Sequence, residues 1–425
     1  MTSEKNLHIH RRGFLAGAAV AGLASLVRPA LAEAPIDEII TSPDRGNWSD
    51  QFDARASEGG KVATNLPILS TATVSYVSLA INSYQQIVAN SGWPMVPSTK
   101  TALKLGDVDP AVSVLRKRLM ISGDLSTIAG ISNAFDTYVD AGLKRFQLRH
   151  GLPGDGVLGQ YTLAAMNVSA QVRLGQLQTN LQRLIDLTSK PLGDRFVMVN
   201  IPAAQIEAVE NGRVVQRHTA IVGKIDRQTP ILSSKIYEVI LNPYWTAPKS
   251  IIEKDLIPIV KKDPDYLEKN KIRIFDQHGN EVPPSSIDWD SDQVADMMFR
   301  QDPSKINAMA STKINFHNPY DVYMHDTPQQ SLFGKLERFE SSGCVRVQNV
   351  RDLTTWLLKN TPDWSRQKIE DTIRTGVNTN VEMADQVPVY FVYLTAWSTG
   401  DGVVQFRDDI YQKDGASELA LGTAL

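Results

Sequence analysis

The hydrophobic pattern of this chain changes period once, near residue 195. Upstream, apolar residues recur every three to four positions, as on one face of a helix. Downstream they gather in short runs rich in Val, Ile, Phe and Tyr, as in strands. A chain so divided is expected to be α+β, with helices segregated in its first part and a mainly-β second part. At 425 residues it is also longer than one core usually grows, so several domains are expected.

Two long helical patterns frame the first part. One runs over 71–89 and stops at Ser91, Gly92, Trp93 and Pro94; the other carries Val172, Leu174, Leu177, Leu181, Leu184 and Ile185. They are expected to pack together as a scaffold (66–102 and 169–192) around a compact unit at 103–168. In that unit Asp109 caps a helix and Pro110 opens it, presenting Val112, Leu115 and Leu119 on one face. A second helix presents Val139, Leu143 and Phe146, the glycines at 154, 156 and 159 make a tight turn, and a third helix begins at Thr162.

In the second part, 196–201 reads as a strand, Asn211-Gly212 as a hairpin turn, and 214–222 and 235–241 as further strands. The polar stretch at about 249–310, with helical segments and Pro283-Pro284, is expected to be a helical cap inserted into the β-domain, since long insertions between strands usually carry function. Strands resume at 314–316 and 322–325. A helix follows near 352–359 and a last strand at 387–394. Residues 401–425 read as a tail.

The N-terminus points to export. His10, Arg11, Arg12, Gly13, Phe14 and Leu15 form a twin-arginine pattern, followed by an uncharged Ala-rich stretch and by Ala30, Leu31 and Ala32. Residues 1–32 are therefore expected to be a cleaved signal and 33–65 a linker or arm. The apolar stretch is short for a bilayer span, so no stable membrane span is expected after cleavage. The expected destination is the periplasm or cell envelope. With 44 basic and 47 acidic residues the chain carries a formal charge of −3, which excludes the basic footprint of a nucleic-acid binder.

Cys344 is the single cysteine. A lone thiol in an exported chain is either a small buried hydrophobe or a reactive group, and its neighbours decide which. Nineteen positions upstream stands His325, at the end of Val322, Tyr323, Met324, His325. As a strand this places Tyr323 and His325 on one face and the apolar pair on the other. Asp326, Thr327 and Pro328 end the strand and hold the histidine at its exit. The thiolate attacks carbonyls, and an imidazole beside the thiol can take its proton. Gly343 permits the sharp turn that presents the sulfur, and the same turn can aim backbone N–H groups at a developing oxyanion. Arg346 lies on the Cys344 side if the segment is extended, and its guanidinium suits a carboxylate.

The run "VYMHDTP" followed by "SSGCVRV" resembles the signature of the L,D-transpeptidase catalytic domain. "NPYWTAP" at 242–248 and "RQDP" at 300–303 are similar to flanking segments of larger members of that family. The run "GLKRFQLRHGLPGDGVLGQYTLAAMN" resembles the three-helix peptidoglycan-binding module. The chain departs from the family pattern at Ser304 and Ala310, where glycines are expected, which bears on the shape of the approach loop. The resemblance implies a catalytic domain at 193–400, with catalytic roles for Cys344, His325, Gly343 and Tyr323 and substrate contacts from Arg346, Ser342, Asp326 and Trp245. It implies peptidoglycan stem peptides as partners. Cys344 would open the L,D bond of a tetrapeptide stem, release D-alanine and pass the acyl group to an amine, giving a 3→3 cross-link.

Water as acceptor would make a carboxypeptidase, and a protein lysine would make an enzyme attaching envelope proteins; the residues alone leave these open, along with a non-catalytic wall-binding scaffold. A papain-like order is excluded because there the cysteine precedes the histidine. No cofactor or metal is expected. His8, His10, His150, His218, His278 and His317 show no ligand spacing.

Overall fold

A computed structural model describes residues 64–400 and 402–415. The expected signal and most of the expected arm lie outside the described residues. The fold is α+β. Helices Thr71–Ala89 and Ala170–Thr188 pack against each other and share a core with Phe196, Met198, Leu394 and Phe406. Between them lies a three-helix unit of Pro110–Ile121, Thr137–Arg149 and Gln160–Asn167. Asp109 accepts from Ala111 N–H as its N-cap, and Val112, Leu115, Leu119, Val139, Leu143 and Phe146 are fully buried. Each such side chain adds roughly 1.5–3 kcal/mol of hydrophobic stabilisation.

The β-domain is a closed ring. β1 (Arg195–Asn200), β2 (Gln205–Glu210), β3 (Arg213–Gly223), β4 (Leu232–Leu241), β9 (Thr312–Phe316), β10 (Met324–His325), β12 (Val345–Val347) and β13 (Thr379–Val392) pair in the order β3-β12-β10-β9-β4-β13-β1-β2, and β2 pairs back to β3. β11 (Phe339–Ser341) extends the far end of β3. β1 shows why the sequence folds this way. Val197 and Val199 enter one core and Phe196 and Met198 the other, so a two-residue period buries both faces. Asn211 and Gly212, with φ of 50° and 71°, make the β2–β3 turn. β2 itself and the helix Arg366–Thr375 were not anticipated.

Two expectations need correction. The insertion at 249–310 is not simply helical. Besides the helical stretch 249–262 and the short helix Tyr266–Lys269, it supplies β8 (Met298–Gln301), β6 (Ile272–Phe275) and β7 (Glu281–Val282) to a four-stranded sheet completed by β5 (Trp245–Thr246) just before it, with its own core around Ile252, Leu256, Ile274 and Phe299. Its strands are two to four residues long, too short for a period to show in sequence. Nor are residues 402–415 a loose tail. β15 (Val404–Phe406) pairs with β14 (Ala396–Ser398), and Phe406, Asp409 and Tyr411 are buried.

At one of the two positions where glycine is expected, the approach loop keeps a glycine-like backbone. Ala310 has φ 44°, a left-handed conformation that favours glycine. It is held there by Asn307 and Gln301. The fully buried Asn307 amide donates to the Pro243, Gln301 and Asp302 carbonyls, and Gln301 donates to the Asn270 and Ile306 carbonyls. A cavity of about 90 Å3 at the seam of the three-helix unit and the β-ring, lined by Leu152, Ala203, Arg338 and Asp408 among others, includes none of the residues around Cys344.

Candidate functional site

Strand pairing assembles the residues singled out from the sequence. β10 lies between β9 and β12, with Met324 opposite Val345 and His325 opposite Arg346. Met324, Val345 and Val347 enter the core, so His325 and Arg346 take the other face. The Tyr323 carbonyl accepts from Val345 N–H at 3.0 Å, which fixes the Cys344 turn beside Tyr323. The Tyr323 and His325 rings meet edge to face with centroids 5.5 Å apart.

The turn depends on glycine. Gly343 has φ 116°, a value that L side chains rarely adopt, while the space beside its Cα is open enough for a methyl group. Dihedral angle, not crowding, is therefore the constraint. Its N–H donates to Ser341 Oγ (3.2 Å) and is occupied, which removes it from the expected oxyanion donors. Ser341 Oγ in turn donates to the Cys344 carbonyl at 2.6 Å. The Gly343 carbonyl accepts from Thr229 Oγ1 at 2.8 Å, and Thr229 Oγ1 accepts from Gly223 N–H at 2.9 Å. Gly223 must be glycine for another reason: a Cβ there would stand 2.1 Å from the Arg227 carbonyl oxygen. Among the described residues Cys344 N–H has no hydrogen-bond acceptor.

The remaining candidates divide. Asp326 is engaged within the protein. Its carboxylate accepts from Ser311 N–H and Oγ, Thr327 N–H and Gln330, and its carbonyl accepts from His325 Nδ1 at 2.5 Å. A carbonyl only accepts, so Nδ1 carries the proton and Nε2 presents its lone pair. Ser342 Oγ is engaged by Arg227 at 2.9 Å, and Arg227 also pairs with Asp255 of the cap at 2.8 Å. Arg346 donates to Gln329 Oε1 at 2.9 Å. Trp245, half-buried at the neck of the cap, hydrogen-bonds the Tyr323 side chain.

Burial dominates the electrostatics. It pushes the Cys344 thiol up to about 11, although Tyr323, Lys313 and Arg346 all favour the thiolate. It pulls His325 down to about 3, aided by the positive charges of Arg346 and Lys313. Burial thus favours the uncharged form of both the thiol and the imidazole. Burial, then the Cys344 charge, raises Tyr323 well above the usual phenol value, so it remains a donor.

Sequence reasoning missed Lys313, Ser341, Thr229, Gly223 and Tyr411. The Tyr411 hydroxyl donates to the Gly223 carbonyl (2.6 Å) and accepts from Thr229 N–H (3.2 Å), bracing the loop under Gly343. Ser341 stands three positions before Cys344, inside the run already singled out; the others have no recognisable spacing with Cys344 and come near it only through strand register and long-range packing.

Residues 194–370 match the YkuD family, described as the L,D-transpeptidase catalytic domain, and residues 108–166 match the family described as "Putative peptidoglycan binding domain". A curated relative from Haemophilus influenzae, named "Putative L,D-transpeptidase", is 34% identical over 246 residues, 58% of this chain. The chain spans about half of that relative's length, 49%. A solved L,D-transpeptidase structure from Xylanimonas cellulosilytica is 16% identical and covers 70% of this chain and 100% of its own, with a TM-score of 0.23. Another, from Stackebrandtia nassauensis, is 14% identical, covers 70% and 96%, and has a TM-score of 0.25. Likeness at those scores carries no structural argument.

Proposed function

The chain carries an L,D-transpeptidase catalytic domain of the YkuD family at 194–370 and a peptidoglycan-binding domain at 108–166, and from that premise we propose that it is a cysteine acyltransferase acting on peptidoglycan stem peptides in the cell envelope, exported by the twin-arginine route. The observation that carries the proposal is the Cys344 turn. The lone thiol follows Gly343 in a turn held beside Tyr323, whose ring meets the His325 imidazole edge to face; Nδ1 of that imidazole is taken by the Asp326 carbonyl, and among the described residues the backbone N–H of Cys344 has no acceptor.

In the proposed first step Cys344 Sγ bonds to the carbonyl carbon of the third residue of a tetrapeptide donor, and its proton passes to His325 Nε2. Since both groups are neutral at rest, attack and proton transfer are coupled rather than preceded by an ion pair. Cys344 N–H, together with the Tyr323 hydroxyl once it turns from the Cys344 sulfur it engages at rest, would serve the oxyanion in place of the Gly343 N–H expected from sequence; removing one such donor typically costs about 10²–10³-fold in rate. Collapse of the intermediate breaks the C–N bond, and the departing D-alanine amine takes the proton from His325. His325 then accepts a proton from the acceptor amine as that amine attacks the thioester; the C–S bond breaks and His325 returns the proton to the departing sulfur, giving a 3→3 cross-link and the free thiol. Asp326 is a positioning residue, fixing the imidazole through its carbonyl.

The test is to incubate the signal-free protein with disaccharide tetrapeptide and analyse the products by mass spectrometry, with Cys344→Ala in parallel. A 3→3 dimer made only by the wild type supports amine transfer. Tripeptide alone redirects the second step to water. Equal product from Cys344→Ala refutes the nucleophile.

A further inference from the structure

Three adjacent strands carry a cross-strand row. Lys313 on β9 pairs with His325 on β10, and His325 pairs with Arg346 on β12. Residues so paired share a face, here the one opposite Ile314, Met324 and Val345 in the core. The imidazole therefore stands between two cations. Lys313 is partly desolvated and rests over the Tyr323 ring, its Nζ 4.3 Å from the centroid.

Neither cation has an acidic partner: among the described residues no carboxylate lies within ion-pair distance of Lys313 Nζ or of the Arg346 guanidinium, which donates to the neutral Gln329. Glu238, the nearest acid in effect on Lys313, gives its carboxylate oxygens to Asn315 (2.7 Å) and Asn380 (3.1 Å). Glu340 attracts Arg346, and Glu238 and Asp321 attract Lys313, only from beyond contact; half-buried cations with no carboxylate against them are costly to hold, and such groups gather where a charged ligand is received.

We propose that Lys313 is a substrate-binding residue that receives a carboxylate of the donor peptide, so that the site selects an anionic donor. This rests on the reading of Cys344 as the acceptor of a peptide acyl group. The carboxylate is either the C-terminal one on the leaving residue or a side-chain carboxylate on the acyl residue; the chemistry recognised is the same. An anion beside Lys313 also offsets one of the two charges pressing on the imidazole, the other being that of Arg346, so the base strengthens as the donor arrives. Selection and activation thus come from one contact.

The experiment measures kcat and KM for three synthetic donors, one with both carboxylates free, one amidated at the C-terminus and one amidated at the side chain. The signal-free protein is compared with Lys313→Met, Lys313→Gln and Lys313→Arg, and folding of each variant is checked by its melting curve. The wild type is expected to prefer the free donor over one amidated form by roughly 10-fold or more in kcat/KM, as for loss of a charge-assisted hydrogen bond. That preference falls to near unity in Lys313→Met and Lys313→Gln and returns in Lys313→Arg, while the preference for the other carboxylate stays; the form affected identifies the carboxylate. Unchanged preferences for both carboxylates in the folded neutral variants overturn the inference. A wild type that turns over none of the three donors overturns the peptide-donor reading, and this inference with it.

Discussion

Raising the pH over the resting enzyme should reveal how deeply Cys344 is held as a thiol. Burial moves its pKa from 9.0 to about 11, so at neutral pH the folded protein carries about 100-fold less thiolate than an ordinary cysteine. Iodoacetamide reacts with the thiolate, and its rate is expected to climb tenfold per pH unit from pH 7 and to level off only near 11. The assay is alkylation of the folded, signal-free protein followed by intact mass, with the same protein in denaturant as the ordinary thiol. Stability carries the same sign. The folded state binds the thiol proton more tightly than the unfolded state, so this contribution is complete below pH 9 and is lost as pH rises towards 11. It amounts to on the order of 3 kcal/mol, and it vanishes in Cys344→Ala. An alkylation plateau below pH 8 would mean a preformed thiolate and would refute the coupled proton transfer.

Tyr411→Phe removes the hydroxyl that satisfies the Gly223 carbonyl and Thr229 N–H, and is expected to cost about 1–3 kcal/mol in denaturant unfolding and to slow acylation of Cys344; unchanged stability would make those contacts incidental. Tyr323→Phe should lower kcat/KM by roughly 10²-fold while leaving the fold intact, because it removes one of the two available oxyanion donors, and a loss under threefold in steady-state assays argues against that role. Ala310→Gly, at φ 44°, should raise the melting temperature by relieving about 1 kcal/mol of left-handed strain; a lower melting temperature would show that the loop gains from the methyl group.

Local chemistry made much of this molecule readable. Asp109-Pro110, Asn211-Gly212 and Gly343 each impose a backbone outcome that the structure contains, and the two-residue alternation from Val322 to His325 was enough to set His325 on the face away from Met324. What was not readable depends on register and long-range contact. Lys313 is an ordinary strand lysine until β9 pairs with β10. Tyr411 looks like part of a polar tail until its ring packs in the β-ring core with Tyr393 and its hydroxyl reaches Gly223. The charge states were also hidden, because an imidazole beside a thiol suggests proton transfer in either medium, and only burial decides that both groups rest neutral. Asp326 misled for a related reason: a carboxylate next to a histidine invites a ligand role, whereas Ser311, Thr327 and Gln330 occupy it.

The central claim is that Cys344 carries the acyl group, and trapping that intermediate tests it most directly. The signal-free protein is mixed with a tetrapeptide donor in the absence of an amine acceptor, quenched in acid within the first turnovers, and weighed intact. The account predicts a mass increase equal to the donor less one free D-alanine, which is one water lighter than the free tripeptide, mapped by digestion to the peptide containing Cys344 and absent from Cys344→Ala. An adduct on any other residue, or one that persists in Cys344→Ala, contradicts it.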